Sequence, residues 1–310
     1  MITLSNGHSF QFMAASGALA FDGRGWPWEW PLRWIGLIKP ECFTIVGKSL
    51  TLKPRQGNLR WSNPFSCVRL LKNGTVNAIG LTNPGIDWWI KEVYLRLTKT
   101  NINFIVSIAG ESLEEYVEMT IRLREAGPAS FGAHAPLRVA SVPKLSPAFL
   151  KGIEINASCP NSPSELHNNT QAVIETVRAV TAKTNLPLLL KLSCTHDYVA
   201  IAKALEGVVE AISINSVPWG TIYPNTKSPL ANLGGGGVSG KLAQEKNWKM
   251  VSALAAQTKI PVIGPSVWEY EDIQKLFNLG ARAVSFGAIF LRYPWRPTRF
   301  VERYLQESKN

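Results

Sequence analysis

The sequence Gly152-Ile153-Glu154-Ile155-Asn156-Ala157-Ser158-Cys159-Pro160-Asn161-Ser162-Pro163 combines a short apolar strand with a polar turn. Residues 152–156 alternate between apolar and polar side chains and include β-branched residues, which is typical of a strand. The segment that follows favours a turn, because proline cannot continue a hydrogen-bonded ladder and Asn and Ser are common in turns. The strand therefore brings two carboxamides and one thiol to a loop at its carboxyl end, where parallel α/β proteins bind ligands.

Seven further segments of the chain resemble this strand, and amphipathic segments with helical periodicity lie between many of them. This alternation predicts a parallel sheet with crossover helices. Eight such units in 310 residues predict an α/β fold, a (β/α)₈ TIM barrel, with a doubly wound open sheet as the alternative. The predicted strands are residues 10–15, 43–46, 104–109, 152–156, 188–192, 211–215, 261–264 and 283–286, and the predicted helices are residues 113–126, 170–184, 198–205, 245–258, 272–279 and 299–305.

The composition excludes several classes of protein. With 45% hydrophobic and 18% charged residues, the chain is a globular protein and not a disordered one. It has no run of 18 apolar residues and no signal-peptide pattern at residues 1–8, so we expect a cytoplasmic protein without membrane contact. Residues 1–310 are predicted to form one domain. A long loop insertion near residues 51–84 has several turn signals, and we expect it to be a lid or to carry small extra strands.

The net charge and the cysteine spacing limit the possible functions of the chain. A net charge of +11 fits an anionic substrate, a phosphate-bearing cofactor, nucleic acid or a generally basic surface, and the basic residues form no long block. Cys42, Cys67, Cys159 and Cys194 contain no C-x-x-C pair, which argues against zinc, an iron–sulfur cluster in this chain and a disulfide framework. We therefore predict free thiols and no metal site.

A tryptophan-rich segment, residues 22–34, departs from the strand–helix pattern. Trp26, Trp28, Trp30 and Trp34 lie there among glycines and prolines, which predicts a loop. Exposed tryptophans would indicate a partner or membrane contact, whereas buried ones would pack on the barrel.

Candidate site residues lie at or near the carboxyl ends of most predicted strands, and in a barrel these ends meet at one mouth. The two lysines among them lie at otherwise apolar strand ends, where an ammonium group needs an anionic partner to offset its desolvation. The set consists of Ser16, Gly17, Lys48, Ser107, Asn156, Cys159, Lys191, Asn215 and Ser216.

Glycine-rich segments near the end of the chain predict an anion site. The run of residues 234–240 precedes a predicted helix, and glycines allow backbone N–H groups to approach an anion closely. A flexible loop is the alternative. Phosphate sites in barrels lie near the loops after strands seven and eight, which here are Gly264-Pro265-Ser266 and Gly287-Ala288.

The segment Asn156-Ala157-Ser158-Cys159-Pro160-Asn161 closely resembles the N-x-S-C-P-N signature of class 1 dihydroorotate dehydrogenases, which are flavin-dependent barrels of pyrimidine biosynthesis. The resemblance extends over nearly the whole chain in family order. It includes Ala15-Ser16-Gly17, residues 47–58, residues 77–85, Ser107-Ile108-Ala109-Gly110, residues 187–192, Ile214-Asn215-Ser216 and residues 236–240.

The resemblance implies an FMN-dependent oxidation of (S)-dihydroorotate to orotate. Flavin N5 accepts a hydride while Cys159 removes the C5 proton, and Lys48 is the second catalytic residue. The implied substrate-binding residues are Lys48, Asn77, Ile79, Gly80, Leu81, Asn156, Asn161, Asn215 and Ser216. The implied cofactor-binding residues are Ser16, Gly17, Lys48, Ser49, Ser107, Asn156, Lys191, Ile214, Gly236, Gly237, Gly264, Ser266, Gly287 and Ala288.

The resemblance also bears on the electron acceptor and the subtype. The cysteine base and the early first flavin motif favour the soluble class. The segments around residues 51–58, 77–84 and 229–240 look more like the subtype that pairs with an iron–sulfur electron-transfer subunit carrying FAD. Because this chain has no cluster motif, the acceptor is such a partner or a soluble oxidant such as fumarate. A homodimer is expected, and a nucleic-acid partner is not.

The chain departs from the family pattern at the phosphate loops. The family has G-x-G-G-[IV] after strand seven, whereas this chain has Gly264-Pro265-Ser266-Val267, and Ala288 replaces a hydroxyl residue after strand eight. Pro265 lacks an N–H, so we expect a rebuilt phosphate site in which the Ser266 hydroxyl substitutes for a backbone donor.

Three alternative functions stay open. Dihydropyrimidine dehydrogenases resemble the signature, but Asn161 favours a substrate with a carboxylate. A tRNA-dihydrouridine synthase would need an additional RNA-binding domain. The altered phosphate loops are also compatible with a degenerate, non-catalytic barrel.

Overall fold

Eight parallel strands form the centre of the computed structural model, which describes residues 1–60, 62–126, 149–157 and 169–308. Each strand pairs with its neighbours in the order of a barrel, and a parallel bridge between Ile212 and Val262 joins the two edge strands and closes the sheet. This confirms the predicted (β/α)₈ barrel. The strands are β1 (Phe12–Ala14), β2 (Thr44–Val46), β3 (Asn103–Ile108), β4 (Leu150–Asn156), β5 (Leu188–Leu192), β6 (Ala211–Ile214), β7 (Ile263–Gly264) and β8 (Ala283–Phe286).

The longer helices agree with the predicted segments to within three residues at either end. The last helix begins earlier than expected because Pro297 lies in its first turn, a position that suits proline. These helices are α1 (Leu113–Glu125), α2 (Thr170–Thr181), α3 (Tyr198–Ala204), α4 (Gln244–Gln257), α5 (Asp272–Asn278) and α6 (Arg296–Glu307). Shorter helical segments are Pro27–Glu29, Trp30–Trp34, Pro40–Cys42, Pro64–Ser66, Ile86–Trp89, Ile90–Tyr94, Leu95–Leu97, Trp219–Ile222, Ala231–Leu233, Lys241–Ala243 and Ala288–Arg292.

The first predicted strand is divided between two elements. Residues 12–14 form β1, whereas Ser9–Phe10 pairs antiparallel with Ile2–Thr3 in a hairpin. The side chains of Ile2, Leu4 and Phe10 are buried in one cluster with residues from inside the barrel. The hairpin therefore covers the amino-terminal end of the barrel with apolar side chains.

The barrel interior changes from apolar to polar along the strands. Its lower layer contains Leu189 of β5, Ala211 of β6 and Ala283 of β8. Side chains two residues apart on a strand point to the same face, so the next layer toward the carboxyl ends contains Lys191, Ser213 and Ser285. This period explains why buried polar side chains lie just below the carboxyl-terminal mouth of the barrel.

The insertion at residues 51–84 carries the extra strands that were expected. Val68–Leu71 and Gly74–Asn77 form a hairpin, and Gly237–Gly240 and Val217–Pro218 extend it to four antiparallel strands, which we name the cap sheet. The glycine run therefore enters a strand, and α4 begins only at Gln244. The run still precedes a helix, as predicted, because the helical segment Lys241–Ala243 and then α4 follow it directly.

Close approach of two backbones explains a glycine in this run. A Cβ on Gly236 would lie 2.6 Å from the backbone oxygen of Asn77, and the residue has a φ of +81°. Glycine is the residue that tolerates both conditions. Gly236 therefore allows the glycine run to approach the strand Gly74–Asn77 closely within the cap sheet.

A second close approach positions the loop after β2. A Cβ on Gly47 would lie 2.5 Å from the ring of Phe104, which stacks on buried Trp89 with ring centroids 5.7 Å apart. Glycine at this position lets the backbone pass close to the Phe104 ring, and the next residue, Lys48, then lies at the barrel mouth. Among the described helices, none has the length and apolar character needed to cross a membrane.

Candidate active site

A cavity of about 630 Å³ lies at the carboxyl ends of the barrel strands, between the mouth and the cap sheet. Val68, Leu70 and Thr75 of the cap sheet form part of its wall. Most of the predicted site residues line it: Ser16, Gly17, Lys48, Ser49, Asn77, Ile79, Gly80, Leu81, Asn156, Lys191, Ile214, Asn215, Ser216, Gly237, Ser266, Gly287 and Ala288.

Three predicted residues lie outside the cavity lining, and two lie outside the described residues. Ser107 is buried beneath the cavity, where its hydroxyl contacts Ser49. Gly236 and Gly264 are not part of the cavity lining. Cys159 and Asn161 lie outside the described residues, so their roles stay predictions.

A buried ion pair lies directly below the cavity. Lys191 Nζ is 2.9 Å from Glu154 Oε1, and Glu154 is fully buried. Ser107 Oγ and Ser213 Oγ donate hydrogen bonds to the two carboxylate oxygens, at 2.9 Å and 2.8 Å. The expectation that a strand-end lysine needs an anion is therefore confirmed for Lys191. Sequence reasoning did not single out Glu154, although it lies two residues before Asn156 and so shares its face of the strand.

A chain of hydrogen bonds joins this ion pair to Asn156. Asn156 Nδ2 donates to Ser49 Oγ at 3.0 Å, and the Ser49 and Ser107 hydroxyls are 2.8 Å apart. Because Ser107 donates its single hydroxyl hydrogen to Glu154, it accepts from Ser49. The carboxamide of Asn156 is thus oriented through two serines by the buried carboxylate.

The tryptophan-rich segment has a buried and an exposed part. Trp26 is buried and its Nε1 donates to the backbone oxygen of Gly17 at 3.1 Å. Trp28 stacks on Trp26, and both rings line the cavity. Trp34 is 76% exposed. Residues 22–34 were predicted to be a loop, but they include the helical segments Pro27–Glu29 and Trp30–Trp34, in which proline occupies the first turn.

A buried carboxyl group anchors this segment. Glu29 Oε2 accepts a hydrogen bond from Trp26 N at 2.8 Å, whereas its Oε1 is buried without a hydrogen-bond partner among the described residues. Burial raises the pKa of Glu29 to about 7, and the Trp26 hydrogen bond opposes this shift. The protonation of Glu29 therefore changes near neutral pH.

The loop after β7 contains a non-glycine residue in a left-handed conformation. Ser266 has a φ of +67°, which is the region that glycine favours. Asn247 of α4 donates from Nδ2 to Ser266 Oγ at 3.2 Å, and Gln244 donates to the Ser266 backbone oxygen at 3.0 Å. Because Ser266 Oγ accepts from Asn247, its hydroxyl hydrogen can serve another acceptor in the cavity. Asn247 also lines the cavity and was not predicted as a site residue.

The three described cysteines are free thiols outside the cavity lining. Burial raises the pKa of Cys42 to about 11 and also raises the pKa of Cys67 and of Cys194. A raised pKa keeps a thiol protonated and unreactive. Within the described parts of the chain, no group of three His, Cys, Asp or Glu side chains is arranged to hold a metal ion.

Comparison with known proteins identifies relatives over most of the chain. The protein from Thermodesulfovibrio yellowstonii named dihydroorotate dehydrogenase B (NAD(+)), catalytic subunit, is 30% identical over 265 residues, covering 83% of this chain and 79% of that protein. A protein of the same name from Citrifermentans bemidjiense is 32% identical over 281 residues, covering 87% and 83%. A Lactobacillus delbrueckii protein named dihydroorotate dehydrogenase A (fumarate) is 28% identical, covering 77% and 74%.

A solved structure with a similar fold and a matching family model both carry the description dihydroorotate dehydrogenase, as these relatives do. The crystal structure of a ligand-free dihydroorotate dehydrogenase from Eimeria tenella superposes with a TM-score of 0.68 at 17% identity, covering 94% of this chain and 82% of that one. At this identity the likeness supports the barrel fold alone. The family model for dihydroorotate dehydrogenase matches residues 35–129 and 135–301. The chain therefore belongs to the dihydroorotate dehydrogenase family.

Proposed function

We propose that this protein oxidises dihydroorotate to orotate with FMN as its bound cofactor. The observation that carries the proposal is the convergence of Lys48, Lys191, Asn77, Asn156 and Asn215 on one cavity at the barrel mouth, in a chain of this family. The Lys48 cation and the three carboxamides suit an anionic pyrimidine, because carboxamides both donate and accept hydrogen bonds. The charge of Lys191 is balanced by Glu154.

The residues of the cavity fit FMN. A volume of about 630 Å³ lies within the usual range for small-molecule sites, and the walls combine apolar side chains with a few polar groups. Ser16, Gly17 and Lys191 would hold the ring system, and Ser266 and Gly287 would lie on the phosphate side. When bound, the flavin supplies hydride-accepting chemistry.

The remaining polar groups would bind and orient the substrate. Asn77, Asn156 and Asn215 would hydrogen-bond the ring N–H and C=O groups, with Lys48 close to them in the lining. Asn161 would bind the carboxylate, and Cys159 would remove the C5 proton; both assignments rest on the sequence signature. A thiol with an ordinary pKa near ~8.5 can act as a base near neutral pH if nearby donors stabilise the thiolate.

Two kinds of relative bear on the electron acceptor. Relatives are named both as the catalytic subunit of an NAD(+) enzyme and as a fumarate enzyme. We propose that a separate iron–sulfur and FAD-containing subunit takes the electrons, as the sequence segments favour, with fumarate as the alternative. Reoxidation of the reduced protein by fumarate alone would overturn the partner assignment. The homodimer and the cytoplasmic location stay predictions.

Titration of the flavin-free protein with FMN, followed by turnover with an artificial electron acceptor, tests the proposed function. We expect stoichiometric FMN binding and turnover of dihydroorotate but not of dihydrouracil, which lacks the carboxylate. Asn161→Ala should weaken dihydroorotate binding and leave FMN content unchanged. Turnover of dihydrouracil in preference to dihydroorotate would contradict the substrate assignment, and failure to bind FMN would contradict the cofactor.

A further inference from the structure

We propose that Glu154 is a positioning residue that sets both the charge and the orientation of the groups facing the flavin. This inference rests on the proposed function. Glu154 does not line the cavity, but two series of contacts connect it to residues that do. One runs through Lys191, and the other runs through Ser107 to Ser49.

The first chain is the ion pair with Lys191. The ammonium group lies 2.9 Å from Glu154 Oε1, and the lysine is 8% exposed while it lines the cavity. A buried ammonium needs a partner because burial removes its hydration, and the neighbouring carboxylate supplies it. The pair fixes the lysine side chain and balances its positive charge at the floor of the site.

The second chain is formed by hydroxyl groups. Ser107 and Ser213 each donate to one oxygen of the Glu154 carboxylate, which is fully buried. Ser107 in turn accepts from Ser49, and Ser49 accepts from Asn156 Nδ2 at 3.0 Å. A carboxylate can only accept hydrogen bonds, so every hydrogen bond in this series is donated toward Glu154. The orientation of the Asn156 carboxamide is a consequence.

The charge balance has a measurable effect on the cofactor. A reduced flavin carries more negative charge than the oxidised form, and a nearby cation stabilises it. With the Glu154 carboxylate in place, the Lys191 charge is compensated within 2.9 Å. Removing the carboxylate charge leaves the lysine uncompensated, which favours binding of reduced over oxidised FMN. The midpoint potential should then rise.

Glu154→Gln removes the charge and keeps the shape of the side chain. We expect it to raise the preference for reduced FMN tenfold or more, which moves a two-electron potential by about 30 mV in the positive direction. Spectroelectrochemical titration of the FMN-loaded protein measures this shift. Ser213→Ala is the matched control, because it removes one hydrogen bond from the same carboxylate without changing its charge. Equal potentials in wild-type protein and Glu154→Gln would overturn the inference, as would an equal shift in Ser213→Ala.

The double variant Glu154→Gln/Lys191→Gln covers the case in which Glu154→Gln does not fold, because it leaves neither buried charge without a partner. If Glu154 balances the charge of Lys191, removing both groups should keep the FMN potential within about 30 mV of the wild-type value. A larger fall in the potential, which indicates loss of an unbalanced cation, would overturn the inference. Wild-type protein that binds no FMN would overturn the proposed function itself, whereas normal binding and reduction with an unshifted Glu154→Gln would overturn the role of Glu154 alone.

Discussion

The indole rings of Trp26 and Trp28 stack with centroids 5.4 Å apart and planes inclined by only 5°. Both rings line the cavity, and Trp26 holds the backbone oxygen of Gly17, a predicted flavin contact. The tryptophan-rich segment is thus part of the site wall on one side and an exposed surface on the other.

Trp26→Ala should weaken both the fold and the cofactor site. Truncating a buried tryptophan typically costs about 3 kcal/mol or more of unfolding free energy, and the Gly17 segment loses its hydrogen bond. We expect a lower midpoint of denaturant unfolding and a higher dissociation constant for FMN. Trp34→Ala, at an exposed position outside the lining, is the control and should change neither. Equal effects of the two variants would contradict the role of Trp26.

Glu29 should make stability depend on pH in the neutral range. Its pKa in the folded protein is about 7, raised by burial from 4.5, so the folded state binds more protons than the unfolded state between these values. The free energy of unfolding should therefore fall as pH rises from about 4.5 to about 7. Glu29→Gln mimics the neutral form and should remove this contribution. Urea unfolding at several pH values measures it, and an unchanged pH slope in the variant would argue against the assignment.

Ser266 should contribute to FMN binding through its hydroxyl. A hydrogen bond to a charged group is worth about 1.5–3 kcal/mol, so Ser266→Ala should raise the FMN dissociation constant about tenfold or more. Ser266→Gly should lose the same contact but relieve the φ of +67°, so it should be the more stable of the two variants. Ser308→Ala, outside the cavity lining, should leave FMN binding unchanged. Normal FMN affinity in both Ser266 variants would show that the hydroxyl does not contact the cofactor.

Cys159→Ser should slow reduction of the bound flavin by dihydroorotate by roughly 10²-fold or more, because general-base catalysis typically contributes this much. Cys194→Ser is the control, since this thiol lies outside the cavity lining and burial raises its pKa. Stopped-flow measurement of a single turnover isolates the step. An unchanged rate in Cys159→Ser would show that another group is the base.

Local patterns predict the barrel and its inner polar residues well. Asn156 ends β4 and Lys191 is the penultimate residue of β5, and the period of two places their side chains inside the barrel mouth. The same period applies to Glu154, which the sequence places on the face of Asn156, so this residue was accessible to prediction.

Long-range pairing explains what the sequence does not predict. The glycine run enters a strand because it pairs with Gly74–Asn77, more than 150 residues earlier in the chain. Asn247 reaches Ser266 only because α4 packs beside the loop after β7. Trp26 lines the cavity and donates a hydrogen bond to Gly17, a contact that cannot be predicted from the periodicity of the sequence. Each of these depends on tertiary packing and not on local propensity.

Anaerobic mixing of the FMN-loaded protein with dihydroorotate tests the central claim most directly. The absorbance of oxidised flavin should be lost in a single turnover, with one orotate formed per flavin reduced. Dihydrouracil at the same concentration should leave the spectrum unchanged. A flavin that stays oxidised in the presence of excess dihydroorotate would contradict the proposed function.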